Sequence, residues 1–305
     1  MRLLFRFSLL VAILLAVGRS GAREIFVDNV AGDDASRGMH PRNMPGQTGP
    51  VRTLAKALRL AQHGDRIVLI ATNEPYRESI ALVGTRHSGY SFSPFMIEGN
   101  GATLDGSEPV PADAWENHVG AVFRFRPRRL GPQQLFLNDR PAEQVFVERA
   151  ADGPAELKPL QWCQHDGQIY FCVELTKLPE NYPLSYACRQ VGITLLHVDR
   201  VVIRNLTVQG FQLDGINANN NARNVTIVGV TCRGNGRSGI AVGGASLVDI
   251  DDCVLGDNGR AQLLTLPYSE TRLRGTALLS NTAPGLLNQG GRVLGAETEE
   301  PEPNE

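Results

Sequence analysis

VVIRNLTVQGFQLDGINANNNA, Val201 to Ala222, decides the fold. Its apolar residues alternate over three short runs: Val201 and Ile203, then Leu206 and Val208, then Ile216 and Ala218. A period of two is the signature of a strand. The dipeptide Gly215-Ile216 is one of a series, preceded by Gly192-Ile193 and followed by Gly239-Ile240, Gln262-Leu263 and Gly285-Leu286, at spacings of 23, 24, 23 and 23. A second pattern keeps step in VVIRNLTV from Val201, VTIVGVTC from Val225, VDIDDCVL from Val248 and TRLRGTAL from Thr271. None of these runs can bury its apolar face alone, so successive units must stack into a continuous core. Three strands and three turns per unit describe one coil of a parallel β-helix.

These repeats resemble those of right-handed parallel β-helix proteins with the pectin-lyase-like fold. The segment IFVDNVAGDDASRG followed by GPVRTLAKALRLAQHGDRIVLI is similar to the entry of many secreted members, where a short helix caps the open end. Here Leu54, Leu58 and Ala61 supply its apolar stripe, and His63-Gly64 ends it. The expected class is all-β: a solenoid with an N-terminal capping helix and an inserted β-subdomain. Residues 23–114 form the cap and first coils, 115–187 the insert, 188–292 the regular coils and 293–305 an acidic, disordered tail. Within the insert, PLQWCQHDGQIYFCVEL predicts a hairpin turning at Asp166-Gly167, with Cys163 opposite Tyr170 and Cys172 opposite Gln161.

Residues 1–22 read as a signal peptide, with Arg2 and Arg6 before the apolar run Leu9 to Val17, and Ser20 and Ala22 at the cleavage site. That run is short of the roughly 20 residues that span a bilayer, so no membrane span is expected after cleavage. The mature chain is expected to be secreted, periplasmic or cell-surface, and monomeric. A net charge of -2 offers no basic field for nucleic acid. Five scattered cysteines and six scattered histidines give neither a disulfide framework nor a zinc site.

Aligning the coils turns sequence columns into neighbours about 4.8 Å apart. Asn235, Asn258 and Asn281 share one column and resemble the asparagine ladder of this fold. Arg237 and Arg260 share another, with Asp214 a coil below and one position along. Asp214 is either a turn residue or a catalytic carboxylate, and the two guanidinium groups either partner it or meet an anionic sugar. The resemblance implies a polysaccharide lyase or glycoside hydrolase acting on an acidic or substituted polysaccharide. Asp214, Arg237 and Arg260 are its candidate catalytic residues, and Asn217, Asn219 and Asn220 its candidate substrate contacts. The substrate face of such enzymes would place Thr194, Asn217, Ala241, Leu264 and Leu287 outward.

The pattern departs from the family's chemistry, because Asp214 has no second Asp beside it and the repeats contain no Lys. The alternative is a non-catalytic glycan-binding or cell-surface protein. No cofactor or metal is expected: one carboxylate with the amides of Asn219, Asn220 and Asn221 would make a weak calcium site. Trp115, Trp162, Tyr170, Tyr182 and Tyr186 either stack on sugars or build the core of the insert, the better reading for the two Trp.

Overall fold

A computed structural model describes residues 22–147 and 153–295. The expected signal peptide therefore lies outside the described residues, except for Ala22. No helix among those described is long and apolar enough to cross a membrane.

The repeats form three parallel sheets. The first has eight strands and runs from Glu24–Val27 through Asp199–Arg204 to Arg292–Leu294. The second has five, from Thr103–Asp105 to Ala277–Leu278, and the third six, from Ile80–Val83 to Leu286–Asn288. Register follows the repeat: Ile193, Ile216, Ile240, Leu263 and Leu286 lie opposite one another on successive strands of the third sheet. The first four are fully buried and Leu286 is partly so. Strand Arg292–Leu294 pairs with Glu270–Arg274, so the solenoid reaches two residues into the stretch expected to be a disordered tail. The sheet hydrogen bonds available to those residues outweigh their nearness to the acidic end.

The turn between the first and second sheets holds Asn205, Gly229, Asp252 and Gly275, all left-handed with φ of 54°, 61°, 50° and 57°. Gly, Asn and Asp are the residues that accept this conformation most readily. At the next turn, a β-carbon on Gly215 would lie 2.7 Å from the Gly239 carbonyl oxygen and 3.0 Å from the Asn235 amide nitrogen. The glycine of the repeated dipeptide is there because the neighbouring coil leaves no room for a side chain.

The helix Leu54–Leu60 closes the N-terminal end with Leu54, Leu58 and Ala61 buried. Thr53 caps it, and Glu78 accepts the Leu54 and Ala55 backbone N–H groups. On the outer face of the first sheet, Glu98 receives Arg66, Arg204 and Asn205. Burial pushes its carboxyl up, but the hydrogen bonds from Asn205 and Arg204 and the Arg204 charge outweigh burial and hold it below the usual range. A depressed folded-state pKa contributes stability above the unfolded value of about 4.3, and that stability is lost as pH falls through the folded value. The melting temperature should therefore drop below about pH 4, and Glu98→Gln should flatten that part of the profile. An unchanged acid limb in the variant would exclude Glu98 as its source.

The insert enters between the second-sheet strand Thr103–Asp105 and the third-sheet strand Ile193–Leu196, where the following coil needs only residues 210–213. It comprises two four-stranded antiparallel sheets, one of which already recruits Ser107–Pro109, so the subdomain starts before residue 115. The hairpin has the expected register, Cys163 opposite Tyr170, with the Cys172 N–H bonded to the Gln161 carbonyl. All five cysteines are buried free thiols. Trp162, Phe171, Phe125 and Tyr186 form the core, joined at its edge by Trp115 and Tyr182. Tyr170 is also buried. Burial of Trp162, Tyr170 and Tyr186 removes the sugar-stacking alternative for those three rings.

Candidate functional site

Asp214 begins the third-sheet strand Asp214–Asn220, in register with Ser238. Its side chain is fully buried. Oδ1 accepts Arg237 Nε at 2.8 Å and Ser238 Oγ at 2.7 Å, while Oδ2 accepts Asn217 Nδ2 at 2.7 Å and Arg237 Nη2. The bond to Asp214 raises the Arg237 pKa further. The structure thus brings Asp214, Arg237 and Asn217 together as expected, but through side-chain donors in a closed cluster. A catalytic carboxylate must meet its polymer, and this one has no exposed surface. That corrects the reading of Asp214 and Arg237 as catalytic: they tie one coil to the next.

Arg260 is outside the cluster; its side chain is exposed and makes no hydrogen bond among the described residues. Asn219 is half-buried and Asn220 exposed, and the Asn220 carbonyl accepts the His197 N–H. A calcium ion does not fit here, because the guanidinium of Arg237 already occupies both Asp214 oxygens. Thr194, Asn217, Ala241, Leu264 and Leu287 do share one outward row. Ala241 and Leu264 are buried there in a small apolar cluster, so the row offers neither acid nor base to a sugar.

The asparagine ladder is shorter than expected. Asn235 Nδ2 donates to Asn258 Oδ1 at 3.0 Å, and Asn258 Nδ2 donates to Gln262 Oε1 at 2.7 Å. Asn281 is exposed and pairs with Asp257 instead. Gln262, which replaces glycine in the repeated dipeptide, supplies the last amide and donates onward to the Ala283 carbonyl.

A polar concavity lies elsewhere, between the outer face of the second sheet and the insert, with a volume of about 360 Å³. Asp105, Gln209 and Arg233, neighbours on successive coils, form one wall; Phe136, Asp139 and Arg140 of the insert form the other. Asp105 is buried, and it accepts the Ser107 N–H at 2.7 Å and Gln209 Nε2 at 3.2 Å. Asp139 and Arg140 are exposed, and half-buried Asp257 closes the rim. The repeat says little of this cleft, since about half its residues lie in the aperiodic insert. The one available signal was the outward position of Gln209 and Arg233 in the same column.

A family model described as "Right handed beta helix region" matches residues 186–294. No curated protein matches the chain. Among solved structures, the complex of XylC with xylose aligns at 14% identity and a TM-score of 0.59, covering 87% of this chain and 56% of that one. Pectate lyase Pel9A aligns at 12% identity and a TM-score of 0.34, over 85% of this chain and 64% of that one. A GH136 lacto-N-biosidase from Eubacterium ramulus aligns at 12% and 0.34, over 88% and 56%. The chain thus spans a little over half the length of the XylC structure. With its three stacked parallel sheets, the chain is a right-handed parallel β-helix.

Proposed function

We propose that this is an exported, glycan-binding β-helix protein that takes its saccharide in the cleft between the second sheet and the insert. The observation that carries the reading is the lining of that cleft: carboxylates, guanidinium groups, an amide and hydroxyls converge on one concavity beside Phe136. Sugars present hydroxyls that both donate and accept, and a wall of mixed acceptors and donors matches them. The outward row of the third sheet, by contrast, carries Ala241 and Leu264.

A second reading, cleavage in the same cleft, is favoured by one feature. Asp139 and Asp257 both line it, and glycoside hydrolysis uses a pair of carboxyl groups. One experiment separates the two. Purified protein is incubated with uronate-containing and neutral polysaccharides, reading retention on the polymer, new reducing ends and near-ultraviolet absorbance of unsaturated ends. Binding without products is the expected result. New reducing ends that vanish in Asp139→Asn would establish hydrolysis, and unsaturated ends a lyase. No retention on any polymer would refute glycan binding.

A further inference from the structure

The outward row of the second sheet reads Asp105, Gln209, Arg233 and Gly256 on successive coils. Asp105 is 4% exposed and fixed by the Ser107 N–H, with Arg77 Nη1 at 3.7 Å. An acceptor-only carboxylate forces the Gln209 amide to turn its Nε2 towards it, at 3.2 Å, and hence its Oε1 the other way. That oxygen accepts Arg233 Nε at 2.9 Å, the only hydrogen bond of the Arg233 side chain among the described residues. The next coil places Gly256 beside Arg233, so no side chain there meets the guanidinium. Its two terminal amino groups make no hydrogen bond or ion pair among the described residues, and the exposed Arg233 lines the same cleft as Arg140.

We propose that Arg233 makes this cleft selective for saccharides bearing an anionic substituent, a uronate carboxylate or a sulfate ester, with Gln209 and Asp105 as positioning residues. The inference rests on the glycan-binding reading above. A guanidinium whose Nε is held on the sheet side presents its terminal pair in a set orientation, the geometry that engages two oxygens of a carboxylate or sulfate at once. A neutral hydroxyl offers one acceptor and no charge. The charge-assisted pair should favour the anionic sugar about tenfold.

The test is calorimetric titration of the full chain with three probes: a uronate trisaccharide, its carboxyl-reduced neutral counterpart, and the same neutral trisaccharide carrying one sulfate. Wild type should bind one or both anionic probes about tenfold more tightly than the neutral one. Arg233→Ala should bind all three alike. Gln209→Leu keeps the charge but frees it, so its preference for the anionic probes should shrink several-fold, whereas a merely structural role would lower the melting temperature and leave the preference intact. Which probe wins distinguishes carboxylate from sulfate. Equal binding of all three by wild type, or full preference in Arg233→Ala, overturns the selectivity and leaves glycan binding standing. No binding of any probe overturns both.

Discussion

Replacing Asn258 with Ala is expected to lower the unfolding free energy by about 3–5 kcal/mol and the melting temperature by about 10 °C. Asn258 has no exposed surface and makes four side-chain hydrogen bonds. Oδ1 accepts the Asn235 backbone N–H and its Nδ2, and Nδ2 donates to the Cys232 carbonyl and Gln262 Oε1. Alanine strands the Asn235 N–H in a dry turn, where each lost partner costs about 1–3 kcal/mol. The flanking glycines prevent collapse, because a β-carbon on Gly239 would already lie 3.0 Å from the Asn258 amide nitrogen. Asn281→Ala is the internal comparison. That side chain is exposed, and its loss should change stability by less than about 0.5 kcal/mol. Thermal and denaturant unfolding of both variants measures the difference. Similar losses would mean that the column of three works as a unit after all.

That comparison also shows what the sequence carries and what it does not. A strict repeat makes neighbours of residues 23 or 24 apart, so the buried column from Ile193 to Leu286 and the Asn235–Asn258 contact follow from arithmetic. Arithmetic fails where one coil departs from its neighbours. Gln262 sits in a glycine column, and its longer side chain reaches the ladder position four residues back, which frees Asn281 to turn outward. The misfit was visible as the one broken dipeptide, but its consequence depends on side-chain length rather than on register. Asp214 fails differently: period two does not say whether the first residue after a turn faces water, and it is the reach of Arg237, with Ser238 and Asn217, that surrounds it. The cleft was least legible, because it depends on how the insert docks. Gly234 shows that docking, since a β-carbon there would lie 2.9 Å from the Phe136 ring.

Asp214→Asn is the second large effect, about 2–3 kcal/mol, and it decides between fold and chemistry at the most enzyme-like motif in the chain. The amide keeps the shape and one acceptor but sets an NH₂ against donors that now meet Oδ2, namely Arg237 Nη2 and Asn217 Nδ2. Arg237 is 29% exposed and turns to water, which limits the loss. Arg237→Ala should cost more, about 3–5 kcal/mol, because it leaves the Asp214 charge buried with only Ser238 and Asn217 as donors. In an Asp214→Asn, Arg237→Ala double variant neither charge is stranded, so the combined loss should fall short of the sum by about 1–3 kcal/mol. Saccharide affinity in the cleft should not change in any of these proteins, since no member of the cluster lines it. A catalytic Asp214 makes the reverse demand: Asp214→Asn would melt with wild type and lose all turnover of a glycan that wild type cleaves. A fully buried carboxylate with four donors satisfies the first set of outcomes and has no route to the second.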